Sequence, residues 1–560
     1  MKAASGRRHH AACFIAAVLI LAGLTWGCGK KDKDKTDASM GEVVTGDRMR
    51  LPLIAWGADV VAIHANGQSA LTTKGSLFDG AGLNFELFRE DDFGKQVDLF
   101  IGGDIAYLRG TMGMVNMAMD RLASNPATRP VLVYQHSWSA GGDALVVKGG
   151  INSVADLKGK TVAIQRNGPH VDYFLKLLKD AQLGSSDVKI VWTRDLVGAS
   201  GDTPMAKLSS GGIDAAFVII PDALALTSQG SVGTGAEDSV RGARILLSTK
   251  TANRIISDVY AVRKDYFDRN REAVKAFVQA MLRSEEEVRD LFSGKGDSYE
   301  RLLGISGKLL LDDPGAGDEV AGMYGDAEMA GFNGNAKFFG DTAYLRNYSR
   351  LSFEIQDSLL DLGLLKKRHA IQAADWNYNE LRSGLRYADR VDVSRFREDT
   401  TVVVAERLSQ KGTGGLFSFE INFRPNQSEF SVSEYRGEFD RVIALASTYG
   451  GAIITVEGHS DPMNYLRKKK EGAEPMLLRK IEQAAKNLSY NRAQAVKKEI
   501  VRYAASRGIT LDPNQLNTIG HGISSPKYAV PSNQEEWKKN MRVVFKIIQV
   551  EAEDEVFRPL

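Results

Sequence analysis

Cysteine is scarce in this chain. Among 560 residues only Cys13 and Cys28 are cysteines, and both lie near the N-terminus. If an N-terminal signal is cleaved before Cys28, the remaining chain has no second cysteine and forms no internal disulfide. In an oxidising compartment its stability must then come from its core. The same scarcity removes the thiolates that many zinc sites and cysteine nucleophiles use. The sequence therefore predicts no metal and no cofactor.

An excess of one charge sign is also absent. Lys and Arg number 72 and Asp and Glu number 70, so the formal net charge is +2. A nearly neutral chain lacks the basic footprint of a general nucleic-acid binder. The apolar run of residues 11–26 is shorter than the ~20 residues that a spanning helix needs. Apolar residues make up 43% and aromatic residues 8% of the chain, which excludes a wholly disordered protein and a multi-span membrane protein.

The N-terminus has the pattern of an export signal. Basic residues precede the apolar run, which ends at Gly27-Cys28-Gly29. A basic start, a short apolar stretch and a small residue before the break are typical of secretory signals. The pattern resembles a bacterial lipoprotein signal, which implies lipidation of Cys28 and, with glycine after it, the outer membrane. We expect a signal peptide over residues 1–27 and a tether over 28–46; a soluble exported protein or an uncleaved anchor is the alternative.

The rest of the chain divides into two folded regions. From about residue 49 to residue 381, short apolar runs alternate with helical patterns, which predicts α/β architecture with mainly parallel sheets. Residues 385–414 are rich in charge, Gly and Ser and indicate a linker. Residues 415–550 indicate a smaller α+β domain, and a tail follows over 551–560. The apolar runs are residues 51–55, 98–102, 131–134, 161–164, 188–192 and 215–220; helical patterns cover 111–123, 169–181 and 273–292.

Segments of the first region resemble solute-binding proteins of the sulfonate, nitrate and taurine type. They are residues 75–83, residues 151–163, and residues 257–263 with 270–280. The resemblance implies a two-lobed periplasmic-binding-protein fold over residues 47–384. Lobe 1 would comprise about 47–139 and 246–384, and lobe 2 about 140–245. The resemblance is specific for the fold and leaves sulfonates, phosphonates, nitrate-like anions and pyrimidine-like molecules open as solutes.

Candidate solute contacts lie where the predicted strands end. In open α/β sheets ligands bind beyond the carboxyl ends of strands, where helix N-termini offer N–H groups to an anion. The sequence therefore predicts a small anionic solute held without a metal. Alternative roles remain open: core packing for Trp56, a surface carboxylate partner for Arg109, a helix cap for Thr111, and a solvated position in the first turn of a helix for His170. The candidates are Trp56, Arg109, Thr111, Trp138, His170 and Asp222.

Catalysis is the least favoured class. Thiamine-pyrimidine precursor synthases share the two-lobed architecture, but that family carries a cysteine-rich motif beside its site, and this chain has no cysteine after Cys28. The sequence also contains no nucleophile elbow, no His-Glu metal helix and no phosphate-binding loop. These absences predict a binding protein and not an enzyme.

Five motifs in residues 415–550 resemble the OmpA-like peptidoglycan-binding domain and follow that family's order. They are residues 419–423 with Ser428 and Phe430; residues 453–461, ending in Gly-His-Ser-Asp; residues 488–496, Leu-Ser-Tyr-Asn-Arg-Ala-Gln-Ala-Val; Gly520-His521-Gly522 with Pro526; and residues 540–543. Thirty positions separate the aspartate of the second motif from the arginine of the third, more than the family's usual interval. The inserted basic run, residues 467–470, forms either a flap over the site or a solvated excursion.

The OmpA-like resemblance implies that Asp461 and Arg492 bind the free end of diaminopimelate in peptidoglycan stems. Asp461 would accept hydrogen bonds from the ammonium group, and the planar guanidinium of Arg492 would pair with the carboxylate. Ser489 is predicted to cap a helix, which leaves Arg492 in the first turn, where N–H groups also face the anion.

Together these patterns predict a periplasmic envelope protein tied to a membrane by lipid and to peptidoglycan by its C-terminal region. Its expected function is capture of a small solute for an ABC permease or for sensing, by closure of the two lobes. A receptor that feeds an importer is normally not fixed at both ends. The alternative is therefore a structural protein that links outer membrane and peptidoglycan, with the α/β region as a partner-binding scaffold.

Overall fold

The chain builds two α/β lobes, between which it crosses twice, and then a C-terminal region with a sheet of its own. The computed structural model describes residues 43–198, 200–236, 239–389, 417–422, 435–512 and 514–548. The predicted signal peptide, Cys28 and most of the predicted linker lie outside these residues. No helix within the described ranges is long and apolar enough to cross a membrane.

The first part of lobe 1 alternates strands and short helices before the first crossing. Strand β1 pairs in parallel with β2, and β3 lies in a separate sheet with β4. The elements are β1 (Met49–Leu53), α1 (Val60–Ala65), α2 (Leu77–Gly80), β2 (Phe85–Arg89), α3 (Phe93–Gly102), β3 (Tyr107–Thr111), α4 (Met112–Met117), α5 (Met119–Leu122) and β4 (Pro130–Ser139).

Lobe 2 is a five-stranded mixed sheet with helices packed on it. Its strand order is β7-β6-β8-β5-β9, with β6 parallel to β7 and β8, and β5 antiparallel to β8 and β9. Its elements are β5 (Asp143–Val147), β6 (Thr161–Gln165), α6 (His170–Asp180), β7 (Lys189–Thr193), α7 (Pro204–Ser210), β8 (Ala215–Ile219), α8 (Ile220–Leu226) and β9 (Arg244–Ser248).

The chain then returns to lobe 1 and adds most of its helices. Strand β10 inserts between β3 and β4 and is antiparallel to both, which completes the order β11-β4-β10-β3, with β12 also paired to β4. The elements are β10 (Ser257–Arg263), α9 (Lys264–Arg269), α10 (Arg271–Gly294), α11 (Asp297–Leu311), α12 (Gly317–Gly325), β11 (Ala327–Met329), α13 (Gly331–Gly340), α14 (Tyr348–Asp361), β12 (Gln372–Ala373) and α15 (Tyr378–Leu381).

The C-terminal region has a four-stranded sheet in the order β13-β16-β14-β15. Strands β14 and β15 are parallel, whereas β16 is antiparallel to β13 and β14. The elements are β13 (Phe417–Asn422), α16 (Arg436–Thr448), β14 (Ile453–His459), α17 (Met463–Lys470), α18 (Pro475–Ser506), β15 (Leu516–Gly522), α19 (Gln534–Asn540) and β16 (Arg542–Ile548).

Two expectations about the first region are wrong in detail. The apolar run at residues 98–102 belongs to helix α3, because Asp92 caps that helix by accepting from Gly94 N and Lys95 N. Apolar residues spaced at helical intervals then bury one face of α3. The lobe 1 sheet is largely antiparallel, since β10 enters it from the other lobe and not through a local crossover helix.

A single apolar cluster connects the three parts of the chain. It includes Met112 of lobe 1, Phe174 of lobe 2 and Leu445 of the C-terminal region, all of which are buried. The lobes and the C-terminal sheet are therefore packed against one another over apolar side chains.

Candidate functional site

The junction between the lobes is the first candidate site. The chain crosses it at residues 140–142 and again at residues 249–256. Trp56 follows β1 and lies half-buried beside the first crossing, with its Nε1 donating to Ser137 Oγ over 3.1 Å. A Cβ atom at Gly142 would lie 2.4 Å from the Trp56 ring, so glycine is needed for this close approach. The indole is thus held at the crossing, where an aromatic solute contact is predicted.

Arg109 does not face solvent. Its Nη2 and Nε donate to Asp59 over 2.7 and 3.2 Å, and its Nη1 donates to Asp258 over 2.8 Å. All three side chains are almost completely buried. Burial alone would lower the pKa of Arg109, but the two carboxylates raise it above its ordinary value. The predicted ligand arginine is therefore committed to a buried ion triad beneath the junction, and its partners are buried carboxylates and not the surface carboxylate of the alternative prediction.

Thr111 takes its alternative role, and Trp138 packs in the core. The Thr111 hydroxyl accepts from Met114 N over 3.1 Å and caps α4. Trp138 is 4% exposed and packs edge-on against Phe338, with ring centroids 5.9 Å apart. Alternate residues of a strand face opposite sides of the sheet, so β4 directs Trp138 into the core and its neighbour Ser137 towards Trp56.

His170 lies at the start of α6 and is fully buried. Its Nε2 lies 2.7 Å from Asp143 Oδ1, at the start of β5. The other oxygen of Asp143 accepts from Ser139 over 2.6 Å, and Ser139 in turn lies 2.8 Å from the Thr249 hydroxyl. This network joins both crossings. His170 is therefore held in a buried network at the crossings and has no exposed surface.

Acidic groups outnumber basic groups at the junction. Asp222 is half-buried near His170, and burial raises the pKa of Asp222 to about 6. Burial and the charge of Asp143 raise the pKa of Asp326 to about 6 as well. Asp172 is 4% exposed, and among the described residues neither of its carboxylate oxygens has a hydrogen-bond partner. Burial raises the pKa of Asp172 to about 8, so at neutral pH this carboxyl holds its proton.

Asp172 also marks where the two lobes touch. A Cβ atom at Gly113 of α4 would lie 2.5 Å from the carboxyl of Asp172 on α6. The N-terminal turns of these helices, one from each lobe, are therefore close together. The carboxyl of Asp172, which holds its proton at neutral pH, lies at this contact.

Helix α14 packs on both lobes. Its Glu354 pairs with Lys176 of α6 over 3.2 Å, and its Gln356 donates to Asn116 of α4 over 2.8 Å. Arg346, just before the helix, pairs with Glu354 over 2.8 Å. Opposing charges lower the pKa of Glu354 to about 2 against the effect of its burial. Lobe opening would have to break these contacts or carry α14 with one lobe.

The second candidate site lies at the end of β14. Asp461 follows that strand, and its Oδ2 accepts from Met463 N over 3.1 Å. Its Oδ1 accepts from Asn540 Nδ2 over 3.3 Å. Asn540 is itself fixed by two hydrogen bonds with the Tyr528 backbone, both of 2.9 Å. Burial raises the pKa of Asp461 above its ordinary value, and these hydrogen bonds offset part of that effect.

The predicted helix cap at Ser489 is wrong. Helix α18 runs unbroken from Pro475 to Ser506, so Ser489 and Arg492 lie in its middle and not in its first turn. The Ser489 hydroxyl donates to Lys486 O over 2.8 Å and accepts from Gly522 N over 2.9 Å. The insertion before this motif is helical and extends α18 towards its N-terminus. Free N–H groups of a first turn are therefore not available beside Arg492.

Arg492 nevertheless lies close to the end of β14. A Cβ atom at Gly458 would lie 1.9 Å from Ser489 O, so α18 packs directly on the strand there. Arg492 follows on the same helix and is 1% exposed. Burial lowers the pKa of its guanidinium. The structure describes no direct contact between the side chains of Asp461 and Arg492.

The C-terminal region contacts lobe 2 and the second crossing. Tyr449 donates its hydroxyl to Asp180 Oδ2 at the end of α6 over 2.8 Å. Arg254 N donates to Thr448 O over 3.2 Å, and Gly451 N donates to Thr251 O over 3.1 Å. The turn after α16 therefore lies directly against the segment that returns the chain to lobe 1.

Several residues of these sites escaped sequence reasoning. Asp143, Ser137 and Asp258 organise the junction, and Asn540 positions Asp461. Asp143 follows the Gly141-Gly142 pair at the start of lobe 2, and this position in the sequence could have identified it as a residue of the junction. Asn540 opens the last OmpA-like motif, but the sequence alone did not connect it with Asp461.

A model of the family described as NMT1/THI5 like matches residues 72–290. Among curated proteins, the taurine-binding periplasmic protein of Escherichia coli (strain K12) is 29% identical over 177 residues. That alignment covers 31% of this chain and 50% of the relative, so the chain spans about half the length of the curated relative it matches.

Two solved structures align with a larger part of the chain at low identity. The periplasmic aliphatic sulphonate binding protein SsuA from Escherichia coli has a TM-score of 0.41 at 16% identity, over 63% of this chain and 97% of that chain. The alkanesulfonate-binding protein SsuA from Xanthomonas axonopodis pv. citri bound to MOPS has a TM-score of 0.41 at 15% identity, over 59% and 100%. The prediction of a two-lobed α/β fold is confirmed by the two sheets and their two crossings.

Proposed function

We propose that residues 43–389 bind a small solute at the junction between the lobes. The observation that carries this proposal is the position of Trp56, an aromatic side chain held half-buried at the first crossing by Ser137 and Gly142. A pocket with an aromatic wall and a few fixed polar groups is the usual form of a small-molecule site. His170 and Asp222 provide polar groups on the lobe 2 side.

The comparisons support the same proposal. The family match covers the whole of lobe 2 and both crossings, and the curated relative is named for taurine binding. We therefore expect a small sulfonate or related anion as the solute, for delivery to an ABC permease or for sensing. The side chains around Asp143 are acidic. We therefore expect a solute whose negative charge lies away from these groups when it is bound.

A thermal-shift screen of the full chain tests solute capture. Taurine, alkanesulfonates, phosphonates, nitrate and pyrimidines are the probes. A solute present at ~100 times its dissociation constant stabilises the folded state by ~2.7 kcal/mol, which raises the unfolding midpoint by a few degrees. The shift should disappear in Trp56→Ala and persist in the matched control Trp537→Ala, whose indole is exposed in the C-terminal region. Equal loss in both variants, or no shift with any probe, would contradict the proposal.

We also propose that the C-terminal region binds peptidoglycan through Asp461 and Arg492. The support is the fixed orientation of Asp461 by Asn540 and the close packing of the helix of Arg492 against the end of β14. A carboxylate and a guanidinium suit the two charges of a diaminopimelate end. The other parts of the envelope proposal, lipidation at Cys28 and attachment to the outer membrane, concern residues beyond the described ranges.

Co-sedimentation with purified peptidoglycan tests wall binding. Asp461→Asn and Arg492→Met should each reduce the bound fraction strongly, because each removes a charge that is proposed to pair with one of the two charges of the diaminopimelate end. Arg502→Met is the matched control, since Arg502 lies on the same helix and its side chain is 69% exposed. Retained binding in both site variants would overturn the assignment of the site, and no binding by the wild-type chain would overturn the proposal itself.

A structural scaffold is the second candidate function. Helix α14 ties the lobes together through Lys176–Glu354 and Asn116–Gln356, which opposes the opening that a transport receptor needs. Small-angle scattering with and without a solute identified in the screen decides between the two. A change in the radius of gyration favours a receptor, and an unchanged profile favours the scaffold. We propose a binding role and not an enzymatic one for the junction in either case.

A further inference from the structure

Three side chains at one end of the C-terminal sheet bring metal-binding atoms together. Glu457 and His459 come from the end of β14, and His521 comes from the neighbouring strand β15. One ligand atom from each residue lies within 4.8 Å of the other two. Two imidazoles and a carboxylate are a donor set that zinc accepts.

His459 has no evident structural partner. The side chain is 3% exposed, and among the described residues neither ring nitrogen makes a hydrogen bond. Its ring stacks on that of His521, with centroids 4.9 Å apart and planes inclined by 18°. A buried nitrogen without a partner is costly and requires an explanation.

The spacing of the other two ligands suits an ion between them. His521 Nε2 lies 3.2 Å from Glu457 Oε2. Bonds of 2.0–2.1 Å to a tetrahedral ion place neighbouring ligand atoms ~3.3 Å apart.

Lys546 is the group that an ion would have to replace. Its Nζ lies 2.7 Å from Glu457 Oε2, and its side chain is 29% exposed. The flexible side chain can therefore turn to solvent when a cation takes its place beside the carboxylate. The other oxygen of Glu457 accepts from Thr455 over 3.0 Å, which keeps the carboxylate oriented. The cluster thus has an oriented carboxylate, a buried imidazole without a hydrogen-bond partner among the described residues, and a lysine that can move aside.

We propose that Glu457, His459 and His521 bind a divalent transition-metal ion of the zinc type, with a fourth position left for water. Nothing in this proposal depends on solute capture or on wall binding. The scarcity of cysteine predicts no metal. The two histidines lie in separate motifs of the sequence, and the parallel pairing of β14 with β15 brings them together. The ion would connect the ends of these strands, two residues before Asp461.

Zinc titration of the metal-free full chain tests this site. Isothermal titration should show one ion bound per chain, and Co²⁺ in its place should give the visible absorption of a four-coordinate site. His459→Gln and His521→Gln should each weaken zinc binding by at least about tenfold, since loss of even a supporting hydrogen bond to a metal ligand costs ~10- to 100-fold. His64→Gln, in lobe 1, should bind zinc as the wild type does.

A second variant guards against misfolding. Lys546→Met removes the competitor of the ion and should tighten zinc binding, a gain that damage to the fold would not produce. The unfolding midpoints of all metal-free variants show whether they fold. Absence of zinc binding by the wild-type chain overturns the proposal. Equal binding by the wild type and the two histidine variants also overturns it, because the ion then lies on other residues.

Discussion

The lobe junction and the C-terminal site handle buried charge in opposite ways. At the junction, Arg109 pairs with the carboxylates of Asp59 and Asp258, and their charges raise its pKa above the ordinary value although burial opposes this. In the C-terminal region, burial lowers the pKa of Arg492 below its ordinary value. A guanidinium held in a complete ion triad serves the fold. A guanidinium buried at a cost to its charge is a better candidate for meeting a ligand.

The same substitution at both arginines tests this comparison and has the largest expected effect. Arg109→Met leaves two buried carboxylates without their cation and should cost ~3–5 kcal/mol of folding free energy. Arg492→Met removes a charge that burial disfavours and should cost much less. Thermal and urea unfolding of the two variants measure the difference. Equal losses of stability would remove the distinction between the two regions.

Substitution of alanine for one glycine in each region tests how tightly the two regions are packed. Gly458→Ala would bring a Cβ atom to 1.9 Å from the backbone oxygen of Ser489, and backbone moves only at a cost of ~1–3 kcal/mol. Gly113→Ala meets the side-chain carboxyl of Asp172 at 2.5 Å, and a side chain can rotate away. The unfolding midpoint should therefore fall further in Gly458→Ala. A larger fall in Gly113→Ala would show that the lobes are packed more rigidly than the C-terminal sheet.

Sequence reasoning succeeded where local pattern determines structure. Strand-helix alternation predicts the α/β architecture of the first region, and the Thr111 hydroxyl caps its helix, as the alternative role of that residue predicts. It failed where the deciding contact is distant in the chain. Arg109 meets Asp59 and Asp258, which are 50 and 149 positions away, and no periodicity announces such a triad.

The C-terminal region shows the same limit within a shorter segment. The motif containing Asp461 ends a strand, and the structure has β14 ending there. The motif containing Ser489 suggests a helix start, but the inserted residues before it continue the helix back to Pro475. The inserted residues are good helix formers. Ser489 therefore lies in the middle of a helix, although the residues beside it match a motif that suggests a helix start.

The pH dependence of stability sharpens the account of the junction. The pKa of Asp172 is raised from 3.8 to about 8, so the folded chain keeps a proton that the unfolded chain has lost. Stability contributed by this group is therefore greatest at low pH and falls as the pH rises towards 8. The difference in unfolding free energy between Asp172→Asn and the wild type should therefore grow in favour of the variant, by up to ~1.4 kcal/mol for each pH unit in this window.

Unfolding midpoints of the two proteins at pH 5, 7 and 9 measure this dependence. Asp187→Asn is the control, because Asp187 is only partly covered and its backbone hydrogen bond with Gly184 lowers its pKa. That control should show no gain that grows with pH. A constant difference between Asp172→Asn and the wild type would mean that the carboxyl is hydrated and ionised in the folded protein.

The contact between the two regions has the smallest expected effect. Tyr449→Phe removes the hydrogen bond from a buried hydroxyl to Asp180, which is worth ~0.5–1.5 kcal/mol. Tyr503→Phe is the matched control, since its hydroxyl meets Asp440 within the C-terminal region. If the C-terminal region supports lobe 2 through this contact, limited proteolysis of lobe 2 should accelerate in Tyr449→Phe and not in Tyr503→Phe. Equal rates of proteolysis in both variants would mean that the two regions pack against each other over apolar side chains but unfold independently. The comparison between them would then concern two independent folding units.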